Sequence, residues 1–289
     1  MGTTAEKLNY LAQTKEAIKS AIIAKGIDVT EDDTFRSYAS KIQEIQGGTV
    51  AGYTPNEIAQ SLVSGNLFFT TDVIGAYSFY NDLGITGVDA PNAVTIGTYA
   101  FYNIKNIISL NIPNVTTIGN YAFTAPTIQS LDLPLCTSIG TNCFTNCPSI
   151  TSLNLPILTA IPNSSFGYLG VSRLVLPEAK SIGNSSLTNS KTLAFVDLPK
   201  CTSIVNYGLR NNAKLETLIL RSETMCTLSN YALNSTKIFN KTGYVYVPAS
   251  LIDSYKGATN WSKVSTQFRA LEDYTIDGTI SGELDATKI

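Results

Sequence analysis

Between residues 73 and 233 the chain writes out one arrangement of apolar and polar positions again and again. An aliphatic residue recurs at Ile74, Ile96, Ile118, Ile139, Ile161, Ile182, Ile204 and Leu228. The interval is nearly even, about 22 residues each time, which is the mark of a repeat architecture. Five residues after each stands a second large apolar residue: Phe79, Phe101, Phe123, Phe144, Phe166, Leu187, Leu209 and Leu233. Five residues before six of the aliphatic residues, Ile96 through Ile204, stands a proline: Pro91, Pro113, Pro134, Pro156, Pro177 and Pro199. The phase of the repeat is thereby set at three points per copy.

Ahead of the prolines runs a short alternation, as in Leu110-Asn111-Ile112, Leu131-Asp132-Leu133, Leu153-Asn154-Leu155, Leu174-Val175-Leu176 and Val196-Asp197-Leu198. Period-2 alternation predicts a strand buried on one face. Proline ends it, having no N–H to give a ladder. One strand per copy, always in the same sense, predicts a parallel sheet built by coiling, with the I-G-x-x-A-F segment as the return path. A single coil cannot bury its own Leu and Phe, so these must stack in columns between coils. They are architecture, not site.

The motif I-G-x-x-A-F followed by L-x-L-P resembles the BspA-type leucine-rich repeats of bacterial surface proteins and some phage-encoded proteins. The resemblance covers about residues 73 to 248. It departs at Pro162 and Val205 in place of Gly, at Leu187, Leu209 and Leu233 in place of Phe, and at Arg221 in place of Pro. It implies adhesion or recognition and brings no catalytic residues with it. The expected fold is an α/β repeat solenoid, a leucine-rich-repeat-like right-handed coil with a parallel β-sheet, an N-terminal helical hairpin and a helical C-terminal cap.

The flanks carry helical spacing. Leu8, Leu11, Ile18 and Ile22, with Lys15 in the seam, predict a helix over residues 4–25. Phe35, Tyr38, Ala39, Ile42 and Ile45 mark a second, so residues 1–48 read as a hairpin for attachment or for homo-oligomerisation through residues 4–46. After a glycine-rich joint, Thr54-Pro55-Asn56-Glu57 starts a cap helix closed by Gly65. The solenoid unit spans 53–248. Residues 249–289 supply a C-terminal cap of two short helices, 249–256 and 262–271, then an acidic tail.

Composition narrows the chemistry. Only 15% of residues are charged, the net charge is −2 and the pI about 5.3, which gives no field to attract nucleic acid or an anionic membrane. Neither a membrane-spanning apolar run nor a signal peptide stands out. Cys136, Cys143, Cys147, Cys201 and Cys226 lack metal-site spacing and read as buried groups or free thiols. Histidine is absent, which removes the commonest general base and metal ligand. No cofactor or metal is expected, and no enzyme activity.

Two surfaces remain. Outward positions of the later strands hold Arg173, Val175, Phe195, Asp197, Ile219, Tyr244 and Tyr246, either a partner-binding patch or a face covered by the protein's own C-terminus. Tyr77, Tyr99 and Tyr121, with Tyr207 and Tyr231, form a stripe two residues before the Phe column that could bind a ligand or fill the turn edge. The expected function is non-enzymatic recognition of a protein or surface glycan, at a cell surface or on a virion. A polysaccharide-processing enzyme using Arg173 and Asp197, and a purely structural component, stay open as alternatives.

Overall fold

The computed structural model of the chain describes residues 65–276 except 70 and 125, residues 279 and 280, and, nearer the N-terminus, 15, 16, 18–20, 22, 23, 29 and 30. Most of the expected hairpin, its glycine-rich joint and the cap helix at residues 54–64 lie outside the described residues. The described positions from 15 to 23 are helical, and Ile18 and Ile22 of the stripe are buried.

Each coil contributes two parallel rungs. The alternating segments form one series of strands: Gly65–Phe68, Ile85–Asp89, Ser109–Asn111, Ser130–Asp132, Ser152–Asn154, Arg173–Val175, Phe195–Asp197, Thr217–Ile219, Tyr244–Val247 and Phe268–Ala270. The residues around each recurring aliphatic form a second series of two-residue strands, from Val73–Ile74 to Thr227–Leu228. This second series corrects the expectation of one strand per copy: the return path is itself hydrogen-bonded, Ile74 pairing with Ile96, Ile96 with Ile118 and Ile118 with Ile139. Between the two ladders run turns, so among the described residues the repeats themselves are without helix.

Neither ladder is continuous, and each gap has a local cause. The second breaks between Ser138–Ile139 and Ala160–Ile161. In neighbouring coils the residue after the aliphatic donates its N–H across, Gly119 to Ile96 O at 2.8 Å and Gly183 to Ile161 O at 2.8 Å. Pro162 holds that position in the broken coil and has no N–H to donate. The first ladder breaks before Ser130–Asp132 and before Arg173–Val175. The paths from Ile118 to Leu131 and from Ile161 to Leu174 are each one residue shorter than the path from Ile96 to Leu110, so both gaps follow a shortened coil.

The core is a set of columns along the coil axis. Phe79, Phe101, Phe123, Phe144 and Phe166 stack with centroids 5.0, 5.1, 5.3 and 5.5 Å apart, all buried, and Leu187, Leu209 and Leu233 continue the column. The spacing is close to that of parallel strands, because each ring is carried on its own rung. Gly119 is needed where it stands: a Cβ there would lie 2.5 Å from the backbone nitrogen of Thr98 in the preceding coil. All five cysteines are free and buried.

The C-terminal cap differs from expectation. After Tyr244–Val247 come a 3-10 turn at Ala249–Leu251, the helix Ile252–Gly257 and a 3-10 segment at Trp261–Gln267. The second expected helix stops there, and Phe268–Ala270 is a final rung, parallel to Tyr244–Val247. Its apolar residues have helical spacing, but pairing with the open sheet edge satisfies backbone groups that a short isolated helix would leave bare. Tyr255, Trp261, Val264 and Phe268 bury themselves on the last coil. Two hydrogen bonds pin them to Cys226: its N–H to Tyr255 Oη at 2.7 Å, and Trp261 Nε1 to its carbonyl at 2.7 Å.

Candidate functional site

The outward strand face divides in two. In the first coils it is a polar column, Asp89, Asn111, Asp132 and Asn154, in which Asn111 donates to Asp89 at 2.8 Å and Asn154 to Asp132 at 2.7 Å. Alternating Asn with Asp keeps like charges from facing each other on adjacent strands. Among the described residues no group of three His, Cys, Asp or Glu could hold a metal ion.

In the later coils the same face is aromatic and cationic, and the chain folds over part of it. The Arg173 guanidinium lies 3.6 Å from the centroid of Phe195, and that of Arg269 4.3 Å from the centroid of Tyr244. Tyr274, just past the last rung, packs its ring 4.7 Å from Tyr246 and 6.2 Å from Phe195. Burial raises the pKa of both Tyr274 and Tyr246, with Arg173 opposing the rise at Tyr274. Phe195, Asp197 and Ile219 are buried, Arg173, Val175 and Tyr246 half-buried and Tyr244 exposed. Of the seven residues of the patch, Phe195 and Tyr246 thus have Tyr274 packed against them.

Arg173 and Asp197 take different partners. Asp197, only 2% exposed, is held by Arg221, with Nη2 2.9 Å from Oδ2 and Nε 3.2 Å from Oδ1. Arg173 lies over the Phe195 ring and faces Tyr274, and among the described residues its Nε is buried without a hydrogen-bond partner.

The tyrosine stripe is the more open surface. Tyr77, Tyr99 and Tyr121 stack in parallel, centroids 5.1 and 4.8 Å apart at interplanar angles of 15° and 2°. A second column, which the stripe spacing does not single out, stands beside it: Tyr80 and Tyr102, 5.1 Å apart at 11°. The columns meet edge to face, Tyr99 lying 5.3 Å from Tyr102 at 66°. A signal for the second column is present in the recurrent F-Y-N of Phe79-Tyr80-Asn81 and Phe101-Tyr102-Asn103. Tyr207 and Tyr231 make a separate stack at 5.6 Å, with Arg210 over Tyr207. Asn142, Ser164 and Ser185 occupy the same turn position in the coils between.

Those tyrosines sit where the backbone does not favour them. Tyr77, Tyr99, Tyr121, Tyr207 and Tyr231 all have φ between 56 and 60°. That left-handed conformation suits Gly or Asn and costs a bulky residue about 1–3 kcal/mol. Ring stacking returns about 0.5–1.5 kcal/mol per pair, and Tyr99 stands in four such pairs, so the stacks offset much of that cost. Tyr77 is 49% exposed. The pKa of Tyr99 is raised, first by desolvation and then by Tyr121, Tyr77, Tyr102 and Tyr80.

Among the described residues no helix is long and apolar enough to cross a membrane. A search of the curated proteins returned no match. Solved structures with similar coils include the pneumococcal vaccine antigen PcpA, at 12% identity and TM-score 0.43 over 72% of this chain and 66% of that one. They include also a leucine-rich repeat protein from Bacteroides ovatus, at 15% identity and TM-score 0.35 over 72% and 66%. A third is a leucine-rich cell surface protein from Faecalibacterium prausnitzii, at 15% identity and TM-score 0.33 over 72% and 78%. The chain thus spans just under two thirds of the length of the first two. The model of the BspA type leucine rich repeat region matches in six copies across residues 72–193 and 159–243, more than half of the chain. With its two ladders and its aromatic column, this chain belongs to the BspA-type leucine-rich repeat family.

Proposed function

We propose that the protein is a non-enzymatic recognition module. It displays a rigid repeat surface to a protein or glycan partner and is joined through the segment 1–48 to a larger cell-surface or virion assembly. One observation carries the reading: parallel tyrosines, partly exposed and held at a strained backbone position, repeat at the coil interval along one edge. Strain kept at successive coils where Asn or Ser also fits is the mark of a working surface. Burial of Asp197 against Arg221 leaves little for a polysaccharide-cleaving pair to work with.

The test is capture of the full chain on host-cell envelopes, matrix proteins and glycan arrays, beside the triple variant Tyr77→Asn, Tyr99→Asn, Tyr121→Asn. The wild-type chain should bind at least one surface and the triple variant should lose it while keeping its melting temperature. Equal binding by both, or none by either, overturns the reading.

A further inference from the structure

We infer that the tyrosine comb takes a neutral, extended β-linked glycan chain laid along the solenoid axis, one sugar to each tooth. This rests on the recognition reading above and narrows it to one ligand class. A polymer that touches successive teeth must repeat at their interval, 5.1 and 4.8 Å from Tyr77 through Tyr99 to Tyr121. An extended peptide returns a side chain to one face only every ~6.7 Å and drifts out of register by the third tooth. A polyproline helix returns one every ~9.3 Å and would skip alternate teeth. In a chain of pyranose rings joined through equatorial bonds at opposite ends, each sugar advances by about the length of one ring. That length is the interval of the comb.

The chemistry of the teeth agrees with the spacing. Each tyrosine hydroxyl can both donate and accept, as sugar hydroxyls do; the ring faces are turned toward one another in the stack, so hydroxyls and ring edges are what the comb presents to a ligand. Tyr80 and Tyr102 widen the edge to two columns at the same 5.1 Å interval. Tyrosines carry no charge at neutral pH, and the chain as a whole bears a net charge of −2, which suits a neutral ligand better than a polyanion.

Calorimetry on the full chain with cellobiose, cellotriose and cellohexaose, and with the α-linked isomer maltohexaose, tests this. Affinity should climb from two to three sugars as the third tooth is engaged, and the curved α-linked chain should bind about tenfold more weakly or worse. Tyr99→Asn should lower cellohexaose affinity by about tenfold while the melting temperature holds. Length-independent affinity, or no preference for the β-linkage, overturns the glycan inference. Binding to a matrix protein that Tyr99→Asn abolishes, with no binding of any β-linked oligosaccharide, overturns it too and leaves the recognition reading intact. Loss of neither on Tyr99→Asn removes both.

Discussion

Arg221 stands where the repeat elsewhere carries proline, and its guanidinium reaches back one coil to hold Asp197, Nη2 2.9 Å from Oδ2. The substitution and the buried carboxylate explain each other: a proline at 221 would leave a charge that is 2% exposed without a counter-ion. Restoring the repeat's own residue, Arg221→Pro, should therefore destabilise the protein, by about 3–5 kcal/mol in urea unfolding. Adding Asp197→Val should recover most of that loss, since Val175 occupies the same column on the adjacent strand. A single variant as stable as the wild type would show that the pair contributes nothing.

The Phe column behaves as a series of nearest-neighbour contacts. Phe123 is stacked at 5.1 Å on Phe101 and 5.3 Å on Phe144, at 6° to both. Phe123→Ala removes both contacts and leaves a void that rungs on either side, fixed by their ladders, cannot close. The expected cost is about 3–5 kcal/mol by denaturant titration. A value near ~1 kcal/mol would mean that the coils collapse together over the gap.

Two glycines should answer to alanine in opposite ways. In the shortened coil before Arg173–Val175, a Cβ on Gly170 would fall 2.1 Å from the carbonyl oxygen of Pro148, a backbone atom that cannot swing aside. Gly170→Ala should lower stability by about 1–3 kcal/mol. Gly257, at the end of the helix Ile252–Gly257, has nothing among the described residues within 4 Å of such a Cβ. Gly257→Ala should raise stability by about 0.4–1 kcal/mol, through the unfolded chain. Thermal melts of the two variants compare them directly.

The columns are legible in the sequence because Ile74 through Leu228, the Phe series and the prolines repeat at one interval, and only stacking satisfies such a repeat. What the sequence hides depends on geometry that no local pattern carries. The second ladder has two residues per rung, too few to show alternation. Tyr80 stays inconspicuous because its neighbour Phe79 carries the column, and nothing in the spacing says that the two tyrosine rows meet edge to face. Phe268 falls four residues after Val264 and three before Leu271, a helical spacing that the open edge of Tyr244–Val247 overrides. Tyr274 reaches Phe195 from the far end of the array, across several coils of intervening sequence, a contact only the fold determines.

Tyr99 links the comb to pH. Its pKa lies above the ordinary tyrosine value of 10.0, first because the ring cluster desolvates it and then because four neighbouring tyrosines oppose a second negative charge. Folding thus favours the neutral phenol. The resulting stability is fully present below the unfolded value near 10 and is lost as pH rises through the higher folded value. In a tyrosinate absorbance titration Tyr99→Phe should remove a late-ionising hydroxyl, and melting temperature should fall less steeply above pH 10 in the variant than in the wild type. Identical alkaline profiles would mean that Tyr99 ionises as a free tyrosine does.

The last coils should become exposed when one ring is removed. Tyr274 lies 4.7 Å from Tyr246 and 6.2 Å from Phe195, on which Arg173 is also stacked. Aromatic pairs of this kind contribute about 0.5–1.5 kcal/mol each, so Tyr274→Ala should cost about 1–3 kcal/mol of stability. More telling is what it uncovers, since the flank of Phe195 that Tyr274 covers would then face water beside a half-buried Arg173. An apolar dye such as ANS should fluoresce more strongly with the variant than with the wild type, and adding Phe195→Ser should abolish the gain. If Tyr274→Ala leaves dye binding unchanged, Tyr274 is not what shields this face, and the outward patch is held closed by the strands themselves.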